Sequence, residues 1–243
     1  MRTLRCYCDD QEFRPGGDIL LSEDEGRHLG TVLRARVGFQ VEVLDGAGGL
    51  AFGEVTEGGK AGWRVAIREV APAVPRRAHP LELAPALTRT DAFDDALHRA
   101  IELGMTAFRP VLSERTVVEL DEKKSARRME RWRRIAVESI KQCERRWLPE
   151  IAAPVDLEEA IDEVRLRGLT PVVLLERASD IPPLSTQKDK LSAVGVCLLI
   201  GPEGGWSPSE VEYLRENSTA LSLGNAILRS ETAALAALAL LSL

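Results

Sequence analysis

The chain has 243 residues, 44% of them hydrophobic and 29% charged, with a formal net charge of −6. This composition excludes a disordered chain and provides a sizeable core for one large domain or two modest ones. The acidic balance argues against a generally basic nucleic-acid binder but leaves local basic patches open.

The first residues, MRTLRCYCDDQEF, lack the apolar core of a signal peptide. Cys6 and Cys8 form one C-x-C, and Cys143 and Cys197 stand apart. No metal-ligand spacing emerges, so no metal is expected, and reduced thiols in a cytoplasm are the simplest expectation. Short β-segments follow: Val41 and Val43 alternate within 39–44, Asp45-Gly46 supplies a turn, and Trp63, Val65 and Ile67 alternate again. Such strands in residues 1–72 predict a small β-barrel. The stretch APAVPRRAHP (71–80) resists regular structure and places a linker at 73–80.

Over residues 81–243 strands and helices alternate. LELAPAL (81–87) leads into a predicted helix over 91–103, where Phe93, Ala96, Leu97, Ala100 and Ile101 share a stripe that Gly104 ends. Residues 108–112 are a candidate strand. A long helix is predicted over 123–146, with Met129, Trp132, Ala136, Ile140 and Cys143 at three- and four-residue steps. A shorter helix at 157–167 precedes the strands PVVLLE (171–176) and VCLLI (196–200). Ser207, Pro208 and Glu210 then spell a capping box with proline at the first helical position, opening a helix to about 216. TALSLG (219–224) is the last predicted strand and 231–243 the last helix. The apolar run of that helix is too short for a bilayer and suits a buried helix or a subunit contact. The whole pattern predicts an α/β fold, a mostly parallel sheet with helices on both faces.

Three stretches bear on chemistry. VCLLI runs directly into GPEGGWSPSE (201–210), whose glycines expose backbone groups at the carboxyl end of a strand, where ligands gather in parallel sheets. Neither a Walker A nor a G-x-G-x-x-G is present, and a tight structural turn accounts for the loop equally well. SLGNAILRSETAALAAL (222–238) also passes through glycine into a helix, with Arg229 and Glu231 at its start. Such a pair is ordinarily a surface ion pair, and Glu231 suits the helix dipole without any catalytic role. KKSARRMERWRR (123–134) carries seven basic residues against one acidic. That is either a solvated face or, on an acidic chain, a phosphate-attracting one.

Together, GPEGGWSPSEVE and SLGNAILRSETAALAAL resemble the C-terminal signature of the SPOUT-class RNA methyltransferases, most of all the bacterial 16S rRNA uridine-N3 methyltransferases (the RsmE family). HLGTVLRARVG and VEVLDGAGG resemble that family's N-terminal PUA-like barrel. HRAIELGMTAFRPVLSERTVV and RWRRIAVESIKQCERRWLPEI resemble its central motifs. The resemblance implies a SPOUT domain with a deep trefoil knot, an RNA-binding barrel at 1–72, and a homodimer. It also implies S-adenosylmethionine as cofactor and a substrate in 16S rRNA, free or in the assembled small subunit.

Mapped by motif, the cofactor cradle comprises Leu174, Glu176, Leu199, Ile200, Gly201, Pro202, Gly204 and Gly205, then Leu221, Leu223, Gly224, Ile227 and Leu228. Arg229 is the candidate that stabilises the N3 anion. Glu231 would position it or accept the proton, and Glu203 is the rival base. The candidate RNA contacts are Arg2, His28, Arg34, Arg36, Lys123, Lys124, Arg127, Arg128, Gln142 and Arg145. His28 by itself reads more simply as a packing histidine.

Asn225-Ala226 stands where the family has Pro-Arg, Glu144 where it has glycine, and Trp147 where it has a basic residue. Two other readings are a ribose 2′-O-methyltransferase of the same class and an RNA-binding protein that lost the chemistry.

Overall fold

The computed structural model of the protein describes residues 4–59, 61–88, 91–116, 121–176 and 180–242. The chain divides into two compact units, Met1–Arg76 with Ile140–Leu148, and Arg77–Ser139 with Pro149–Leu243.

The first unit contains β1 (Leu4–Tyr7), β2 (Asp18–Leu20), α1 (Glu23–Arg27), β3 (Gln40–Leu44), β4 (Leu50–Glu57) and β5 (Arg64–Ala71). Its five strands run in the order β1-β3-β4-β5-β2, antiparallel except for β1 beside β3. Period-two alternation turns Val41, Val43, Val65 and Ile67 inward, onto a core shared with Ile19 and Leu29. Register shifts at Phe52/Gly53 and Val55/Glu57 bend the sheet, as β-bulges do. At Gly53 a Cβ would come within 2.6 Å of the Ala66 carbonyl oxygen, so glycine is required there.

The second unit contains β6 (Leu81–Pro85), α2 (Asp91–Glu102), β7 (Ala107–Phe108), β8 (Val111–Leu112) and α3 (Glu122–Cys143) up to Ser139. It continues through β9 (Glu150–Ile151), β10 (Val155–Asp156), α4 (Leu157–Leu166), β11 (Thr170–Leu174) and α5 (Lys188–Ser192). It ends with β12 (Val196–Ile200), α6 (Pro208–Asn217), β13 (Thr219–Leu221) and α7 (Ser230–Ser242). Six strands in the order β13-β11-β12-β6-β7-β9 form one wholly parallel sheet, and β8 pairs with β10 apart from it. VCLLI is buried along its whole length and β6 nearly so, as expected for strands covered on both faces. Phe93, Phe108 and Trp132 form an aromatic triangle, centroids 5.3 to 5.7 Å apart, that packs α2 and α3 against β7.

Two predicted strands are shorter than their sequence patterns. The segment 108–112 divides at Arg109-Pro110 into the end of β7 and β8, which join different sheets. Beyond Leu221 the predicted strand 219–224 leaves β11: Ser222 donates to the Pro182 carbonyl at 3.0 Å and accepts from Leu184 N–H at 2.8 Å. The Ser207–Glu210 capping box forms in full, with Pro208 at the start of α6.

The predicted helix 123–146 stops at Cys143, because Glu144 takes φ +66°, a left-handed conformation no helix continues through. Residues 140–148 belong to the first unit and are held within it. Lys141 Nζ lies 2.7 Å from Glu25 Oε1, with both side chains nearly buried, and the other Glu25 oxygen accepts Tyr7 N–H at 2.9 Å. Leu148 N–H donates to the Gly46 carbonyl, and the Trp147 indole donates to Val74 O at 2.8 Å. The Arg76 guanidinium sits 5.7 Å from the Trp147 ring centroid. Trp147 therefore has a packing role within the first unit.

The left-handed φ at Glu144 favours the glycine that the resemblance implies there. Glu144→Gly and Glu144→Ala both remove its 2.8 Å ion pair with Arg5, so their difference isolates the backbone. The glycine variant should be the more stable by about 1 kcal/mol. Equal urea midpoints for the two would contradict the left-handed geometry.

Candidate active site

β12 lies between β6 and β11 although both precede it in sequence, so the strand order departs from chain order where a parallel sheet usually places its ligand. A cavity of about 480 Å³ opens there, at the carboxyl ends of β11, β12 and β13. Its size is that of a small-molecule site.

Most of the predicted cradle lines it. Leu174 and Glu176 come from the end of β11. Ile200, Gly201, Pro202, Gly204 and Gly205 come from the loop after β12. Leu223, Gly224, Ile227 and Leu228 come from the segment leading to α7. Leu199 and Leu221 do not line it: both are fully buried in the protein core. Side chains alternate along a strand, so Leu199 faces away from the side that Ile200 presents.

Of the three candidate catalytic residues, Glu203 and Arg229 line this cavity, both exposed. Glu231 lines a separate, narrow cavity of about 20 Å³ with Pro85, Thr88, Phe93 and Phe108; Ser230 borders both. The Ser230 hydroxyl donates to Glu231 Oε2 at 3.3 Å. The pairing of Arg229 with Glu231 suggested by their spacing is thus not a shared cavity wall.

The wall also includes residues that motif reasoning passed over. Val211 and Arg215 lie one turn apart on α6, a spacing that could have identified them once the helix was placed. Arg215 pairs with Asp180 at 2.7 Å, and its guanidinium holds that carboxyl below the usual range. Trp206 also lines the cavity, and its buried indole N–H has no hydrogen-bond partner among the described residues. A Cβ on Gly201 would meet that indole nitrogen at 3.0 Å, so a side chain there would push the ring by a few tenths of an ångström. Gly205 N–H donates to Pro202 O at 2.8 Å, closing a turn with Gly205 at φ +69°.

The candidate RNA contacts fall on both units. Arg34 and Arg36 are exposed, Arg34 at φ +54°, and His28 is half-buried in a wide helical turn after α1. Gln142 is exposed and Arg145 half-buried. Arg2 lies outside the described residues. On α3, Lys123, Lys124 and Arg127 are exposed and Arg128 half-buried. Part of that positive charge is answered locally: Lys124 lies 3.5 Å from Asp121, Arg131 pairs with Asp94, and Arg134 lies 3.8 Å from Glu130. Lys123 and Arg127 make no ion pair among the described residues.

Residues 75–242 match the model of a family described as an RNA methyltransferase domain, and residues 21–62 match an RNA methyltransferase PUA domain. The chain is 31% identical over 232 residues to a ribosomal RNA small subunit methyltransferase E from Synechocystis, covering 91% of this chain and 71% of that protein. A methyltransferase from Legionella pneumophila, solved with the bound cofactor SAM, superposes with a TM-score of 0.89 at 30% identity, covering 99% of this chain and 97% of its own. A ribosomal RNA small subunit methyltransferase E from Neisseria gonorrhoeae, bound to S-adenosyl methionine, gives a TM-score of 0.86 at 28% identity, covering 98% and 96%.

Proposed function

The chain belongs to the ribosomal RNA small subunit methyltransferase E family, and from that premise we propose that it methylates N3 of a uridine in 16S rRNA, using S-adenosylmethionine. The observation that carries the reading is the cavity at the strand ends, with two glycine-containing loops as walls and Arg229 at its edge.

The cavity's chemistry suits the cofactor. Leu174, Leu223, Leu228 and Trp206 supply apolar surface for a purine, and the loop backbones supply donors and acceptors for its polar edge. Gly205 and Gly224 both take positive φ, and nothing stands within 4 Å of a Cβ built on either. Glu176 and Glu203 bring negative charge to the wall, which suits a sulfonium and an ammonium, and Arg215 offers a cation for a carboxylate. Bound there, S-adenosylmethionine supplies an electrophilic methyl group.

The protein's own task is to make a poor nucleophile available. Uridine N3 carries a proton, and its lone pair is useful only once that proton leaves. The resulting negative charge spreads onto O2 and O4, and a guanidinium beside those oxygens stabilises it selectively. Arg229 fills that role in this reading. Glu203, on the same wall, is better placed to take the proton than Glu231, which borders the other cavity.

The remaining parts fit the same reading. The barrel unit and the exposed Lys123 and Arg127 would engage rRNA phosphates. Helix α7 buries Ala234, Ala237, Leu238 and Leu241 but leaves Leu235 and Leu240 half-exposed, as a homodimer contact would require. The trefoil knot and a cytoplasmic location, where ribosomal subunits are assembled, belong to the reading too. Among the described residues no helix is long and apolar enough to cross a membrane.

The test is to incubate the protein with labelled S-adenosylmethionine and undermethylated small subunits, digest the RNA, and identify the labelled nucleoside. 3-Methyluridine is expected. A 2′-O-methylated nucleoside would replace the reading with ribose methylation, and no label would leave only RNA binding.

A further inference from the structure

The loop forming the middle wall of the cavity has little packing of its own. Gly204 and Gly205 are exposed, a Cβ on Gly205 would have no neighbour within 4 Å, and one on Gly204 would meet only Arg115 Cδ at 3.7 Å. A glycine-rich loop of this kind has many conformations to lose when it orders. One backbone bond inside it, Gly205 N–H to Pro202 O, closes the turn without fixing the turn in space.

What fixes it comes from elsewhere in the chain. Residues 113–116 follow β8 and lie against the loop and the start of α6. The Arg115 guanidinium donates to the Gly204 carbonyl. Glu114 N–H donates to Glu210 Oε1 at 2.9 Å, while the other Glu210 oxygen accepts Ser207 N–H at 2.7 Å in the capping box. The Ser209 hydroxyl donates to Glu114 Oε1 at 2.9 Å and lies 2.9 Å from the Ser207 hydroxyl. Buried Glu210 is thus shared between the helix cap and the incoming segment. The incoming segment is itself tied down, because the Ser113 and Thr116 hydroxyls lie 3.0 Å apart and Ser113 N–H donates to Thr116 Oγ1 at 2.9 Å.

We propose that Glu114 and Arg115 are positioning residues: a clamp that holds residues 202–207 in the shape that receives the cofactor. The proposal rests on the reading of the cavity as the S-adenosylmethionine site. Neither residue lines the cavity, so the clamp acts through the wall and not on the ligand. The Ser207 and Ser209 hydroxyls donate to the Glu114 carboxylate and hold its pKa below the usual range. A loop held in its bound shape before the ligand arrives loses less entropy on binding, and this appears as affinity.

The test measures S-adenosylmethionine binding by calorimetry and steady-state methylation of undermethylated small subunits, in the full-length protein. Arg115→Ala should raise the Kd and the KM for S-adenosylmethionine together, by about five- to tenfold, the worth of one partly exposed charge-assisted hydrogen bond. The turnover number should stay within about threefold. Arg115→Lys, which keeps a donor, should recover most of the affinity, and Glu114→Ala should move Kd in the same direction as Arg115→Ala. Arg115 is exposed, so the thermal midpoint without cofactor should be unchanged in the Arg115 variants. Wild-type affinity in Arg115→Ala overturns the clamp. So does a fall in turnover with Kd unchanged, or a rise confined to the KM for RNA, because Arg115 would then meet the substrate directly. If wild-type protein itself fails to bind S-adenosylmethionine, the cofactor reading falls instead, which separates the two failures.

Discussion

Arg229→Ala is expected to lower turnover on small subunits by about 100- to 1,000-fold, the usual effect of removing a preorganised donor from a developing oxyanion. The affinity for S-adenosylmethionine should change by less than about threefold. A cation ~4 Å from the anion, at an effective dielectric of ~20, contributes roughly 4 kcal/mol. At 1.36 kcal/mol per pK unit this is about three units, enough to bring an imide proton within reach of a neutral-range base. Arg229 is exposed on the cavity wall, and its carbonyl accepts Ala233 N–H at 2.8 Å, so the start of α7 fixes its backbone. Arg229→Lys keeps the charge without the planar fork and should fall between wild type and alanine. Measured as single turnovers with saturating cofactor, activity in Arg229→Ala within tenfold of wild type would sink the assignment. Glu203→Gln and Glu231→Gln then separate the candidate bases: the cavity geometry predicts the larger loss at Glu203.

How much of this was legible in sequence depends on the range over which each feature is determined. The capping box at Ser207–Glu210 is local chemistry and forms as read. The buried parallel strands were legible from continuous apolar runs such as VCLLI, because covered strands need no alternation. Helix α3 was read three residues too long because its apolar stripe leads smoothly up to Cys143. Only the left-handed φ at Glu144, sustained by contacts within the first unit, ends it. Strand 219–224 was overestimated for a similar reason. Its apolar pattern continues, but the hydrogen bonds of Ser222 go to Pro182 and Leu184, far away in sequence.

At the site, the loops singled out by motif do border one cavity, but motifs do not resolve which way neighbouring side chains face. Leu199 and Ile200 are adjacent and equally apolar, yet only Ile200 meets the cavity. Arg229 and Glu231, two residues apart where α7 begins, border different cavities. The contact of Arg115 with Gly204 joins residues 89 positions apart and carries no sequence signal of its own.

The largest effect on stability should come from the other end of the sheet. Arg109 follows β7 and is almost fully buried, with Nε 2.9 Å from Glu82, Nη2 2.6 Å from Glu150 and Nη1 3.5 Å from Glu163. Glu82, in β6, is only 1% exposed and also pairs with Arg167, whose guanidinium lies 3.6 Å from Glu150. Three carboxylates and two guanidinia thus tie β6, β7, β9 and α4 together. Arg109→Ala takes one guanidinium from the buried Glu82 carboxylate and leaves it the half-exposed Arg167, a loss of about 3–5 kcal/mol. Glu82→Gln should cost less, because Arg109 keeps two acidic partners that reach towards solvent. Replacing both, as in Glu82→Leu with Arg109→Met, removes the uncompensated charge and should recover much of the stability lost in Arg109→Ala. Urea unfolding of the four proteins measures this directly. A double variant no more stable than Arg109→Ala would show that the network does more than neutralise a buried charge. The residues lie near the amino end of β6 and outside the cavity lining, so S-adenosylmethionine affinity per folded molecule should be unchanged in every variant that folds.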